Sequence, residues 1–203
     1  LTDSPEDRAI RDFFTFRPGQ PDIVDGPGRP DQWGWLETYP QHKFVERPDG
    51  GCEEMVVCVA QNANDASGGH CCAFNAPGTY GRSYTQQRGQ DTREDAYLYG
   101  LNIQGDSALQ CDPDLIFVTG WNEFIAGKHI GWHPARPYYP FAFPDQFDWE
   151  RSRDIEPVKA WGDKGDAYYI QLVDNIRRYK GVSESQAVSQ PRSFRIGRFD
   201  GWD

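Results

Sequence analysis

The chemistry this sequence can do centres on Glu123, which lies in the segment Thr119-Gly120-Trp121-Asn122-Glu123-Phe124. The apolar run just before it, Leu115-Ile116-Phe117-Val118-Thr119, reads as a buried strand. A barrel enzyme places its catalytic groups immediately past the carboxyl ends of such strands. A carboxylate in that position serves as acid, base or nucleophile. Asn122 can hold a substrate hydroxyl there, and Trp121 can wall the pocket and raise the carboxyl pKa by desolvation. The plainer alternative is a helix-starting acid that complements the helix dipole.

Glycoside hydrolysis normally uses a second carboxylate across the scissile bond. The candidates are Glu37, in Trp33-Gly34-Trp35-Leu36-Glu37-Thr38-Tyr39-Pro40-Gln41, then Glu156, in Asp154-Ile155-Glu156-Pro157, and Asp65. Glu37 is the expected catalytic partner because Trp33 and Trp35 offer flat apolar faces to a sugar ring; the alternative is a loop acid facing water. Arg17 and Glu156 are expected at the ends of their own strands, as substrate contacts or as members of structural ion pairs. Gln61, Asn62 and Asp65, in the polar loop after the next strand, are further substrate-binding candidates, as are His129 and Trp132 in a later aromatic loop. The acidic residues Asp145, Asp148, Glu150, Asp154 and Glu156 match no EF-hand spacing and read as a solvated loop.

The elements that must position these residues alternate. Ser4-Pro5-Glu6-Asp7 has the form of a helix start, a capping Ser followed by Pro. Residues 13–17 read as a short buried strand closed by Pro18-Gly19, 55–60 as a fully buried strand, 92–109 as a helix capped by Asp91 or Thr92, and 115–119 as the clearest strand. Ile155 opens a short strand, and a helix over 163–180 stops at Gly181. Long loops at 18–50 and 125–153 follow strands. Strands alternating with helices imply parallel pairing, and the long loops imply a site at one end of a barrel. Residues 183–203 read as a linker and the start of a following β-type unit.

Composition narrows the partners. The net charge is −10, which repels phosphate backbones and argues against nucleic acid. No run approaches the ~18 apolar residues of a membrane span, so no membrane insertion is expected. The chain opens on Leu1-Thr2-Asp3 and its only methionine is Met55, which reads as a processed piece of a longer protein. Cys52, Cys58, Cys71, Cys72 and Cys111 form no CxxC pair, and neither a phosphate-binding Gly loop nor a Gly-x-Ser-x-Gly elbow is present. No metal and no cofactor are expected.

The segment Val118-Thr119-Gly120-Trp121-Asn122-Glu123-Phe124-Ile125-Ala126-Gly127 resembles the W-N-E-W-x-E-G signature of the endo-α-mannosidase-like glycoside hydrolases and related barrel proteins of polysaccharide gene clusters. Ile155-Glu156-Pro157 and Gly165-Asp166-Ala167-Tyr168-Tyr169 are similar to the same group's later strand and closing helix. The resemblance covers about residues 114–180 and implies the C-terminal portion of a (β/α)8 barrel over residues 1–182, with the strand at 115–119 as the seventh. It implies that the rest of the barrel comes from the same longer protein or from another chain, and that the setting is secreted, periplasmic or on a bacterial cell surface. In that group the Glu of the Asn-Glu pair assists attack by the sugar's own 2-hydroxyl, and a Glu three residues later is the general acid/base. Here Glu123 matches the first, and Ala126 stands in place of the second. The acid role is then expected to fall to another carboxylate, most simply Glu37, or the chemistry differs, or the domain binds glycans without cleaving them. The tail through Phe199-Asp200-Gly201-Trp202 weakly resembles the opening strand of a β-sandwich carbohydrate-binding module.

Overall fold

A computed structural model describes residues 1–20, 27–60, 63, 77–85, 89–90, 100–122, 129–130, 141–142 and 149–181. Its centre is a mixed three-stranded sheet in the order β1-β2-β5, with β1 at Phe44–Glu46, β2 at Cys52–Cys58 and β5 at Leu115–Thr119. β1 and β2 form an antiparallel hairpin. β2 and β5 run parallel in register from Glu54↔Leu115 to Cys58↔Thr119. Helix α2, Gly100–Cys111, leads into β5 and packs on β2, so the two parallel strands and the helix between them have the βαβ arrangement. Two short antiparallel pairs complete the strands described, β3 (Tyr84–Thr85) with β4 (Gly89–Gln90) and β6 (His129–Ile130) with β7 (Phe141–Ala142).

Both faces of β2 are covered, as its continuous apolar run requires. Met55, Val57 and Val59 meet Leu101, Ala108, Ile155 and Tyr168 on the helix side. Val56 and Cys58 meet Leu36, Phe44 and Trp33 on the other. Each fully buried aliphatic side chain contributes about 1.5–3 kcal/mol. Helix α3, Ala167–Tyr179, lies against α2, with Arg178 donating to Asp106 at 2.7 Å and the Tyr179 hydroxyl donating to the carbonyls of Pro113 and Asp114. It ends at Lys180, and Gly181 follows with φ +69°, at the stop expected. β5 is less buried than its composition suggests: Leu115 and Phe117 are 39% and 42% exposed, and β2 is its only partner among the described residues.

Two expected strands are absent. Residues 13–17 do not form one, because helix α1 runs from Pro5 to Phe13 with Ser4 capping it, its hydroxyl accepting from the Asp7 N–H. The capped, charge-rich start carries the helix to Phe13, and the extended backbone after it meets no neighbouring strand among the described residues. Phe13, Phe14 and Phe16 end up exposed and packed edge-on against one another. The segment at Ile155 is not a strand either. Ile155 is nevertheless buried, its N–H shared between the carbonyls of Gly120 and Trp121. The helix expected over 92–109 is described from Gly100 to Cys111, and residues 91–99 lie outside the described residues. So does the proposed following unit at 183–203.

Candidate functional site

β5 delivers Gly120, Trp121 and Asn122 at the carboxyl end of the parallel pair. Gly120 has φ +82°, and a Cβ there would collide with the Arg153 carbonyl, so only glycine allows the 152–156 segment to cross so close. Glu156 N–H donates to the Trp121 carbonyl at 2.9 Å. The crossing segment is held from below by Arg82, 3% exposed, which donates to the carbonyls of Ser152 and Asp154 and lies over the Tyr168 and Trp161 rings at 4.2 and 5.1 Å. Trp149 stacks on Trp161 with centroids 5.1 Å apart. A cation between rings, fully desolvated, is a rigid support for the strand end. Trp121 itself is 46% exposed and stands edge-on to Tyr169, and Asn122 is exposed.

The residue that sequence singled out as partner, Glu37, is tied to the same end of the sheet. Its carbonyl accepts from the Cys58 thiol and from Gln104 Nε2, both at 2.9 Å, and Gln104 Oε1 in turn accepts the Cys58 N–H at 2.6 Å. Gln41 Nε2 donates to the carbonyls of Val56 and Gln104. These side chains fasten the 37–41 loop to the end of β2, one strand away from Thr119.

The Glu37 carboxylate is not open to solvent. It is 5% exposed; Oε2 accepts from the His42 backbone N–H at 3.1 Å and lies 2.6 Å from His42 Nδ1, while Gln20 Nε2 reaches Oε1 at 3.5 Å. His42 is half-exposed, and the bond to Glu37 holds its pKa above the ordinary value despite the opposite pull of burial. Behind this pair lies Glu54, 1% exposed, whose carboxylate accepts from the Gly34 N–H at 2.7 Å. Burial pushes the Glu54 carboxyl up to about 7, with the neighbouring Glu37 charge acting in the same direction and the Gly34 N–H against it. Gly34 is required for this approach, because a Cβ there would run into the Phe44 ring.

Arg17 and the Trp33 indole are at the other end. Arg17 holds Glu53 through Nε at 2.7 Å and Nη2 at 2.6 Å, and Trp33 Nε1 donates to the same carboxylate at 3.0 Å. Glu53 is next to the first residue of β2, so Arg17 lies at the end of the sheet opposite Cys58 and Thr119 and not at the strand ends where it was expected. The structural ion pair is its fate, and Arg17 holds the Glu53 carboxyl below its usual range. Trp35 is 43% exposed. Glu156 makes no ion pair among the described residues, so neither Arg17 nor Arg153 is its partner. Glu123, Gln61, Asn62, Asp65 and Trp132 lie outside the described residues, and of His129 only the backbone pairing with Ala142 is described.

Sequence reasoning missed His42, Glu54, Gln104 and Arg82. Glu54 had a signal: Glu53 and Glu54 are adjacent in a strand covered on both faces, so one of them had to point inward. Comparison of the chain with known protein families, curated proteins and solved structures gave no match.

Proposed function

We propose that the chain is the C-terminal portion of a barrel-type glycoside hydrolase acting on a complex polysaccharide or glycan, with Glu123 as its central carboxylate. The observation that carries this reading is a coincidence at one sheet end. The strand that leads into Glu123 leaves its exposed Trp121 and Asn122 beside the end of β2, where Glu37 is fastened through Cys58 and Gln104. A carboxylate at a strand terminus, an exposed ring and a neighbouring amide suit a sugar, with the ring meeting its C–H face and the amide its hydroxyls. The exposed Leu115 and Phe117 of β5 support a further neighbour for that strand, as a larger barrel would supply. The glycan is the proposed partner, in a secreted or cell-surface setting, with no cofactor in the reaction.

Glu123→Gln tests the reading. With a glycan panel, reducing-end release should be abolished while calorimetric affinity is kept, because the amide preserves shape but cannot act as base or nucleophile. Unchanged turnover in the variant would refute the assignment. A second reading, a glycan-binding domain without turnover, is favoured by Ala126 and by the enclosure of Glu37; it predicts binding and no release in the unmodified protein.

A further inference from the structure

We propose that Cys52 and Cys111 are a disulfide-forming pair, joined by exchange with a small-molecule disulfide such as oxidised glutathione, and that the bond clips the βαβ unit where α2 turns into β5. The inference is independent of the hydrolase reading, because the pair lies at the end of the sheet opposite Cys58 and Thr119. The two sulfurs are 59 residues apart in sequence and 3.3 Å apart in space. An S–S bond is about 2.05 Å long, so they have only about 1.2 Å to close, a step on the scale of a side-chain torsion. The backbone on both sides is fixed. Cys52 opens β2 and Cys111 closes α2, after which Asp112 turns the chain with φ +52°. The Asp114 N–H donates to the Cys52 carbonyl at 3.2 Å, and Arg47 Nη1 donates to the same carbonyl at 3.1 Å and to the Asp114 carboxylate at 2.7 Å. The Tyr179 hydroxyl of α3 holds the Pro113 and Asp114 carbonyls from the far side. Cys58, by contrast, is committed to oxygen acceptors, its thiol meeting the Glu37 carbonyl at 2.9 Å and Gln104 Oε1 at 3.3 Å.

Access sets the order of events. Cys52 is fully buried and Cys111 is partly exposed, so exchange starts at Cys111. Its thiolate attacks one sulfur of oxidised glutathione; the new S–S bond forms, the glutathione S–S bond breaks, and one glutathione leaves as thiolate. Cys52 then gives up its proton and attacks Cys111 Sγ, forming the internal bond and expelling the second glutathione thiolate. The protein loses two electrons and two protons, and both pairs end on the two glutathione thiols. Burial pushes the Cys52 thiol up to about 12, with the adjacent Cys111 acting in the same direction, which makes the closing step the slow one.

The test is cysteine mapping on the complete protein, equilibrated without denaturant in equimolar oxidised and reduced glutathione, quenched in acid, alkylated and cleaved after glutamate. Cleavage at Glu46, Glu53 and Glu94 leaves Cys52 on one peptide, Cys111 on a second, and Cys58, Cys71 and Cys72 on others. Most of the protein should carry a linked pair of the Cys52 and Cys111 peptides. Its Tm should lie about 5–15 °C above that of the reduced protein, the scale of one disulfide across a long loop in a domain of this size. Cys111→Ser should abolish the link and the oxidation-dependent gain in Tm together. The proposal is overturned if both cysteines are alkylated under these conditions, if either is joined to a peptide bearing another cysteine, or if the link forms with no gain in Tm. Mapping of the unmodified protein decides the matter even if Cys111→Ser fails to fold. Each of these outcomes leaves the Glu123 assignment untouched.

Discussion

Glu54→Gln should make the protein more stable, by an amount that grows with pH. In the folded chain the carboxyl sits in an apolar, enclosed position with a pKa of about 7, against 4.5 for a free glutamate. The folded state therefore binds this proton more tightly than the unfolded state, and between those two values unfolding releases it. The stability it brings is present in full below pH 4.5 and is lost progressively as pH rises through 7. At about 1.4 kcal/mol per pH unit the gap amounts to about 3 kcal/mol, a large part of the stability of an ordinary domain. Glutamine keeps an oxygen to accept the Gly34 N–H and carries no titrating proton. The amide N–H₂ must still find acceptors, so about 3 kcal/mol is a ceiling. Urea denaturation followed by circular dichroism at intervals from pH 4.5 to 8.5 gives the difference between variant and wild type, in which all other titrations largely cancel. That difference should be near zero at the acid end and reach about 2–3 kcal/mol in the variant's favour above pH 7.5. A flat difference would show that Glu54 is solvated or paired, and the reasoning from its burial would fail.

Gly34→Ala should destabilise by about 1–3 kcal/mol in the same assay, because the new methyl meets a Phe44 ring that is itself buried. Adding Phe44→Leu should recover part of that loss; no recovery would place the strain elsewhere. Arg17→Met should cost about 1 kcal/mol, the scale of a partly solvated bidentate pair, raise the Glu53 pKa in a ¹³C NMR titration, and leave glycan affinity unchanged, since Arg17 is at the sheet end opposite Cys58 and Thr119. A fall in affinity would return Arg17 to the substrate contacts.

What could be read from sequence was local. β2 and β5 declare themselves as continuous apolar runs, and their parallel pairing follows from the helix between them. Ser4-Pro5 and Gly181 mark helix ends through chemistry that acts within one turn. Residues 13–17 were misread for a related reason. Aromatic residues favour strands only when another strand is there to pair with; the capped helix takes Phe13, and the extended backbone from Phe14 pairs with no strand among the described residues.

Glu37 shows why the site was harder to read than the strands. Its neighbours in sequence, Trp33 and Trp35, pointed to an open sugar site, but its environment is set by residues far along the chain. Gln104, 67 residues away, and Cys58, 21 away, hold its carbonyl at the end of β2. With the backbone fixed there and the sheet face covered by Leu36 and Phe44, the carboxylate is turned toward Gln20, Glu54 and His42. Two enclosed acids this close cannot both be charged without cost. The arrangement relieves that cost in two ways, by leaving Glu54 protonated up to about pH 7 and by giving Glu37 a histidine to charge. The bond to Glu37 holds the His42 ring above its ordinary pKa, and of this cluster the half-exposed imidazole is the part that solvent reaches.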